Sequence, residues 1–347
     1  MIENLTAPGG EISTEKAAVW PNLKLPPSAQ EILRCPVCRS KLTLQDNRFQ
    51  CIHSSCANIF PIVDGVPILI NEQASIFSID DFANRRDTTF ELDRINPTRG
   101  KRTILRAIKE YSPNISKNYG AAENYARFTG LLKQATGRPR LLVVGGGIEG
   151  AGAGGVLADP AIETVETDVS FGPRTMLICD GHDLPFDGGA FDGVIIQAVL
   201  EHVVDPQRCV EEVHRVTRNG GLVYAETPFI QQVHMGQYDF TRFTHLGHRR
   251  LFRKFEEVDS GPICGPGMAL AWTYQAFLMS FFKSRFGRGL ARRFAAFTGF
   301  WLKYLDYFLI RNPTAYDAAS GFFFCGRKKD GYLLDDRDLL TLYKGAQ

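Results

Sequence analysis

The sequence lacks a run of about 18 to 20 apolar residues, the length that a membrane-spanning helix needs. It also lacks a large excess of either charge. Its 40 lysines and arginines nearly balance 38 aspartates and glutamates, so the composition creates no general attraction to nucleic acid. The first residues contain no basic segment followed by an apolar one, so we expect no secretory signal. These absences predict a protein of the reducing cytoplasm.

Acidic residues are absent from one long segment, Ser260 to Leu305. Basic residues occur there among aromatic and aliphatic ones: Lys283, Arg285, Arg288, Arg292, Arg293 and Lys303. Basic groups beside an apolar face suit a helix that lies in a membrane interface, so residues 268–310 predict peripheral membrane contact. The alternative is a helical cap on the core whose basic edge faces solvent.

Disulfides are not expected among the eight cysteines, because a reducing compartment disfavours them. Four cysteines lie close together near the N-terminus: Cys35, Cys38, Cys51 and Cys56. A Cys-x-x-Cys pair followed by a wider second pair is typical of two knuckles that close on one tetrahedral zinc ion. Four protein ligands leave no open position, so we predict a structural zinc. Two alternatives remain: His53 could replace Cys51 or Cys56, or the thiols could be unligated.

A glycine-rich turn follows the strand predicted at 141–145. The glycines nearest the strand are Gly145, Gly146, Gly147 and Gly150. Such a turn lets the backbone approach a ligand, and Asp168, about 20 residues further on, is placed to accept hydrogen bonds from ribose hydroxyls. These residues predict a nucleoside site, but a dinucleotide would fit them equally well.

The order of the motifs after the turn separates the two ligands. Asp180 and Gly181 are followed by Leu-Pro-Phe at 184–186, Phe-Asp at 191–192 and Leu-Glu-His at 200–202. Together with the turn, these motifs resemble a class I S-adenosylmethionine-dependent methyltransferase of type 11. The resemblance implies an enzyme that binds S-adenosylmethionine. The cofactor residues that it implies are Gly145, Gly146, Gly147, Asp168, Asp180, Gly181 and Gln197.

One departure from this family lies in the glycine turn. Glu149 occupies the position where a third glycine is common, and Gly150 comes one residue later. Further glycines at 152, 154 and 155 predict a wider turn that still admits the cofactor. The alternative is a turn that has lost the cofactor, in a non-catalytic binding protein.

The predicted fold is α/β: a doubly wound, seven-stranded, Rossmann-like methyltransferase sheet over residues 139–330. Residues 30–71 resemble the small zinc-ribbon-like domains that accompany some methyltransferases, including activators of tRNA methyltransferases. Residues 72–138 are predicted to form a linker with helices, and residues 260–312 a helical insertion before the last strand. Strands are predicted at 141–145, 164–169, 176–179, 193–199, 222–225 and 320–327, and helices at 101–111 and 119–134 and after Asp205.

The segment after the fifth predicted strand, Val233 to Thr244, resembles a subgroup of methyltransferases associated with glycan and polysaccharide synthesis. It implies an acceptor hydroxyl on a sugar, a glycan or a lipid-linked intermediate. Because an oxygen acceptor benefits from a base, we predict His234 and Asp239 as catalytic residues. For His202 we predict only a structural hydrogen bond.

Two alternatives to this assignment stay open. Asp239 could pair with Arg242 and merely hold the loop. The acceptor could instead be RNA, guided by the zinc module. The basic residues that could then contact phosphate are Arg249, Arg250, Arg253 and Lys254.

Overall fold

The computed structural model describes residues 22–86, 88–89 and 113–347, so the helix predicted at 101–111 lies outside the described residues. The strands are β1 (Leu42–Gln45), β2 (Arg48–Cys51), β3 (Ile59–Val63), β4 (Val66–Leu69), β5 (Arg140–Val144), β6 (Glu163–Asp168), β7 (Leu177–Cys179), β8 (Phe191–Gln197), β9 (Thr217–Pro228), β10 (Phe255–Cys264) and β11 (Gly321–Lys328).

The helices within the described residues carry the labels α1 to α11. They are α1 (Pro27–Glu31), α2 (Ile79–Ala83), α3 (Ala121–Ala135), α4 (Gly154–Leu157), α5 (Pro206–Val216), α6 (His245–Leu251), α7 (Pro266–Ser280), α8 (Arg285–Gly299), α9 (Leu302–Leu309), α10 (Ala315–Ala318) and α11 (Asp336–Thr341). Within this described part, no helix combines the length and the apolar character needed to cross a membrane.

The central sheet confirms the predicted α/β class. Its strand order from β4 onward is β4-β7-β6-β5-β8-β9-β11-β10. Strands β5 to β9 pair in parallel, and β11 is antiparallel to both of its neighbours. The chain passes from β5 to β6 on one side and returns to β8 on the other. The strand order therefore reverses at β5 and β8, where parallel sheets of this kind bind their ligands.

The N-terminal module extends this sheet. Strands β1 to β4 form an antiparallel meander, and β4 then pairs in parallel with β7 through Ile68 opposite Ile178 and Leu69 opposite Cys179. Phe49 and Phe60 of the module are buried in the same apolar core as Phe186 of the larger part. The order of all strands is therefore β1-β2-β3-β4-β7-β6-β5-β8-β9-β11-β10.

Within the methyltransferase sheet, β5 to β11, one strand was missing from the sequence-based prediction. Strand β10 contains Glu256, Glu257, Gly261 and Pro262, which are poor strand formers. It pairs with β11 through two register irregularities, so its place in the sheet depends on its partner more than on its own sequence. Helices α7 to α10 lie between β10 and β11, whereas the insertion predicted at 260–312 would begin inside β10 and end before α10.

Candidate functional site

Two cavities lie outside the carboxyl ends of the parallel strands. The larger has a volume of about 510 Å³ and is lined by the glycine turn, Gln197 and Glu226. The smaller, of about 100 Å³, is lined by Asp180, Gly181 and Val199. Residues shared by both cavities are Val144, Gly145, Asp168 and Ala198. The cavities therefore adjoin at the point where the strand order reverses.

The glycine turn requires glycine at three positions. Gly145 has a φ of +76°, and a Cβ there would lie 2.3 Å from Cγ2 of Val199. A Cβ on Gly147 would lie 2.7 Å from Oδ2 of Asp168, and one on Gly150 would lie 1.8 Å from Oε1 of Gln197. Gly150 thus makes the close approach to Gln197, which explains why the neighbouring position can be Glu149.

Asp168 ends β6 and is buried beneath the glycine turn. Its Oδ2 accepts a hydrogen bond of 2.8 Å from the Gly147 amide. Burial raises the pKa of Asp168 to about 6, although backbone hydrogen bonds to the carboxylate oppose the rise. Since a carboxylate has about four acceptor positions, the side chain can still accept hydrogen bonds from a ligand in either cavity.

Asp180 lies in the smaller cavity, but part of its hydrogen-bonding capacity is already used. Nδ1 of His182 donates to Oδ1 and the Ser75 hydroxyl donates to Oδ2. Burial alone would raise the pKa of Asp180, yet hydrogen bonds from His182 and Ser75 hold it below its usual value. Nε2 of His182 accepts the amide hydrogen of Asp205. Neither Ser75 nor His182 was identified from the sequence.

The segment that follows the N-terminal module closes over the smaller cavity. Ile76, Phe77 and Thr89 line it, together with Met235 from the loop after β9. The Phe77 ring stacks on Tyr238, with centroids 5.9 Å apart and an interplanar angle of 22°. Residues before β5 and residues after β9 therefore complete the nucleoside cleft together.

The larger cavity contains a buried carboxyl that sequence analysis missed. Glu226 accepts hydrogen bonds from Gln197 Nε2 at 2.8 Å, from Asn118 Nδ2 at 3.1 Å and from the Tyr224 hydroxyl at 2.7 Å. Burial raises the pKa of Glu226 despite these bonds. Gln197 is thereby fixed in orientation, and Glu226 is the second buried carboxyl in this cavity, after Asp168, whereas Glu149 is exposed.

His234 and Asp239 lie together, as the predicted acid–base pair would need. Nδ1 of His234 is 3.5 Å from Oδ2 of Asp239, and the His234 amide donates to the same oxygen at 2.9 Å. Asp239 also forms a bidentate ion pair with Arg242, as expected from the alternative in which this pair holds the loop. Burial acts to raise the pKa of Asp239, but bonds from Arg242 and His234 lower it to about 2. Asp239 therefore stays ionised and orients its neighbours.

A third cavity lies beside this loop. It has a volume of about 900 Å³, and its lining includes Gln231 to Val233, Asp239 to Arg242, Met279 and Arg288. Gln231 also lines the larger nucleoside cavity. The loop after β9 thus separates the nucleoside cleft from this wide third cavity, which α7 and α8 bound.

His202 has the predicted structural hydrogen bond: its Nδ1 is 2.7 Å from the Tyr238 carbonyl oxygen.

The four basic residues considered for RNA contact are all paired with carboxylates. Arg249 is buried and lies 2.8 Å from Glu257, Arg250 and Arg253 pair with Asp336, and Lys254 pairs with Glu211. This group therefore offers no unpaired basic cluster for phosphate.

The four N-terminal cysteines fit one zinc ion. Their sulfur atoms lie within 4.8 Å of one another, with Cys35 to Cys56 at 3.7 Å and Cys38 to Cys51 at 3.4 Å. Tetrahedral ligands at about 2.3 Å from zinc would be about 3.8 Å apart. His53 bonds to Ser55 instead and is not part of the cysteine cluster found in the described residues. A four-thiolate site of this kind is structural because it leaves no position for water.

Comparisons with known proteins match the two parts separately. A family model described as a methyltransferase domain matches residues 154–225. A UPF0434 protein of Azotobacter vinelandii is 33% identical over 55 residues, which are 16% of this chain and 90% of the relative. A UPF0434 protein of Alteromonas mediterranea is 39% identical over 51 residues, 15% of this chain and 80% of that protein.

Solved structures resemble the chain at low scores. Phosphoethanolamine N-methyltransferase 2 of Haemonchus contortus, in complex with S-adenosyl-L-methionine, has a TM-score of 0.40 and 16% identity, covering 76% of this chain and 62% of its own. The 1,6-didemethyltoxoflavin-N1-methyltransferase of Burkholderia thailandensis has a TM-score of 0.36 and 14% identity, covering 84% of this chain and 100% of its own. At these scores the alignments add no detail to the site.

Proposed function

We propose a substrate for this chain, which belongs to the UPF0434 family through its N-terminal module and is a class I S-adenosylmethionine-dependent methyltransferase. The proposed substrate is a hydroxyl of a sugar, a glycan or a lipid-linked intermediate, which the enzyme methylates. The observation that carries this proposal is the arrangement of the cavities. A nucleoside cleft adjoins a wide cavity of about 900 Å³, and a loop with His234 and Asp239 lies between them. Such an arrangement suits transfer of a small group to a bulky acceptor.

The cofactor residues are assigned from their positions in the cleft. Asp168 would accept hydrogen bonds from the ribose hydroxyls, and Asp180 and Gly181 would contact adenine. The glycine turn and Gln197 would hold the amino-acid end in the larger cavity. When bound, S-adenosylmethionine supplies a methyl group on a sulfonium, and much of the catalysis then comes from positioning the acceptor oxygen in line.

The acceptor hydroxyl is activated at His234 of the loop. His234 is partly exposed, Asp239 lies beside its Nδ1, and its Nε2, 4.0 Å from Glu201 Oε1, would take the hydroxyl proton. Asp239 is ionised and forms an ion pair with Arg242, so it acts as a positioning residue for His234. This assignment gives the two predicted residues different roles.

Replacing the two residues separately tests the proposal. We expect His234→Gln to lower turnover by about 100-fold, the lower end of what general acid–base groups contribute, with cofactor affinity retained. Asp239→Asn should lower turnover less, because it only orients His234. The measurement is transfer of labelled methyl from S-adenosylmethionine into sugar, glycan, lipid and RNA fractions of an extract. His214→Gln is the matched control.

Two results of this assay would count against the proposal. Unchanged turnover in both variants would remove the loop from the mechanism. Label that enters RNA alone would support the second hypothesis, an RNA methyltransferase guided by the zinc module.

The helices between β10 and β11 favour the proposal that the acceptor lies at a membrane surface. Large apolar side chains are strongly exposed there, including Phe286 at 82%, Phe308 at 72% and Phe281 at 67%. Arg285, Arg288 and Arg292 of α8 line a small cavity with Met279, and none of the three forms an ion pair within the described residues. Exposed aromatic groups beside unpaired arginines suit anionic lipid. We therefore propose peripheral membrane contact of a cytoplasmic protein.

Vesicle flotation tests this contact. The protein should float with vesicles that contain about one third phosphatidylglycerol, and less at high salt, because exposed charges are screened. Phe286→Ser combined with Phe308→Ser should reduce flotation, whereas Tyr343→Ser, a partly exposed aromatic elsewhere, should not. Equal recovery of all variants in the bottom fraction would favour the solvent-facing cap.

A further inference from the structure

Three side chains converge beside the nucleoside cleft. Glu201 and His202 follow β8, and His234 lies in the loop after β9. One ligand atom from each lies within 4.8 Å of the other two. Oε1 of Glu201 is 3.6 Å from Nε2 of His202 and 4.0 Å from Nε2 of His234. His202 also lines the smaller cavity, so the cluster borders the cleft.

Both histidines are held in the tautomer that a metal ion requires. Nδ1 of His202 faces the Tyr238 carbonyl at 2.7 Å, and Nδ1 of His234 faces the Gln232 carbonyl at 3.3 Å and Asp239 at 3.5 Å. Because these partners can only accept, each Nδ1 carries the hydrogen and each Nε2 keeps a lone pair. Metal-binding histidines characteristically have such a partner on their second nitrogen.

One oxygen of the cluster's carboxyl is buried without a hydrogen-bond partner in the described part of the chain. Glu201 is 1% exposed, and its Oε2 has no hydrogen-bond partner among the described residues. An uncompensated buried polar atom costs free energy and needs an explanation such as an ion. The backbone explains why the group stays in place: the Glu201 carbonyl accepts from the Phe240 and Thr241 amides, which ties the loop to the end of β8.

We propose that Glu201, His202 and His234 bind one divalent transition-metal ion. Two imidazoles and one carboxylate with open positions suit iron(II), manganese or zinc, in contrast to the closed four-thiolate site. Ligands at about 2.1 Å from one ion lie about 3.0 to 3.4 Å apart. The two distances from Glu201, 3.6 and 4.0 Å, would therefore have to contract. His234 can supply this contraction, because it lies in a partly exposed loop.

The role of the ion rests on the proposed function. The open positions would face the cleft, where a coordinated acceptor hydroxyl would have a lowered pKa. His234 would then act as a ligand: the coordinated hydroxyl would lose its proton to solvent water, its oxygen would take the methyl group, and the sulfonium would leave as a thioether. Arg242 is the nearby positive charge that could oppose a cation, and its ion pair with Asp239 offsets it.

Manganese binding tests the site without any methyl transfer. Purified protein with its zinc retained is titrated with Mn²⁺, and the free ion is followed by electron paramagnetic resonance. Thiolates prefer softer ions, so Mn²⁺ reports on a nitrogen–oxygen site. We expect one Mn²⁺ per chain. Glu201→Gln and His234→Gln should each weaken binding by more than about tenfold, since even orienting partners contribute that much. His214→Gln should leave it unchanged.

The proposal fails if the unaltered protein binds no Mn²⁺, or if both variants bind it as tightly as the parent. The cluster would then act as a direct proton acceptor. Zinc content and thermal unfolding show whether each variant is folded, and if Glu201→Gln is not, His234→Gln and His202→Asn decide the question. Because neither cofactor nor acceptor is present, this outcome is independent of whether the chain methylates a hydroxyl.

Discussion

At the scale of single residues, Asp168 is the side chain on which the cofactor assignment depends most. It lines both nucleoside cavities and already accepts one hydrogen bond from the glycine turn. Burial raises its pKa to about 6, within the range of ordinary buffers. Ribose hydroxyls donate hydrogen bonds most strongly to the ionised form. Cofactor affinity should therefore follow the ionisation of this one carboxyl.

We predict that the affinity for S-adenosylmethionine falls by about tenfold when the pH is lowered from 7 to 5, because a group with a pKa of about 6 is about nine-tenths protonated at the lower value. The affinity is fully present above the pKa and is lost below it. Asp168→Asn should bind more weakly and show a much flatter pH profile, whereas Asp46→Asn, which is exposed, should follow the parent. Calorimetry at several pH values measures this, and an equally steep profile in Asp168→Asn would contradict the assignment.

Local sequence signals predicted some residue-scale features well. Asp205 accepts the Arg208 amide at the start of α5, and Cys209, Val210, Val213 and Val216 form its buried face, as expected from the spacing. His182 was missed although it lies only two residues from its partner Asp180. Ser75 and Glu226 were missed because their bonds to Asp180 and Gln197 join segments far apart in sequence. Such contacts exist only once the sheet is formed, so no local pattern predicts them.

At the scale of elements, the segment between the zinc module and the methyltransferase domain has a more specific place than a linker. Ser75 bonds to Asp180, Phe77 stacks on Tyr238, and Thr89 bonds to Ser170. Through these contacts the segment forms part of the wall of the smaller cavity. Its sequence is polar and mixed in charge, so hydrophobic periodicity gave no sign of this role.

We predict that Phe77→Ala lowers the affinity for S-adenosylmethionine by about two- to tenfold, corresponding to the loss of one aromatic contact. Zinc content should not change, because Phe77 lies outside the cysteine cluster. Phe286→Ala serves as the control, since that ring is exposed and remote from the cleft lining. If Phe77→Ala binds the cofactor like the parent, the segment does not close the cleft.

Element boundaries also show where sequence analysis was wrong. The fifth strand was predicted only at 222–225, after Gly220 and Gly221, but α5 ends at Val216 and β9 already begins at Thr217. The glycines lie inside the strand, where Gly221 packs against Thr217 and the Asp192 carbonyl. Glycine signals a turn locally, and here a close approach of neighbouring strands overrides that signal.

At the scale of the whole molecule, the two parts form one continuous sheet. The four-thiolate site fixes the module, and β4 then pairs with β7 at the edge of the methyltransferase sheet. Arg39, which lies between the cysteine knuckles, reaches across to Asp183 and Glu212. The sequence predicted both folds but not their joining, because edge pairing of β-strands depends on backbone groups that every sequence shares.

The central claim is that the cleft at β5 and β8 binds S-adenosylmethionine. Calorimetric titration of the zinc-loaded protein tests it most directly. The structure predicts one binding site per chain, competition by S-adenosylhomocysteine, and no competition by a nicotinamide dinucleotide. Absence of binding, or displacement by the dinucleotide instead, would contradict the account.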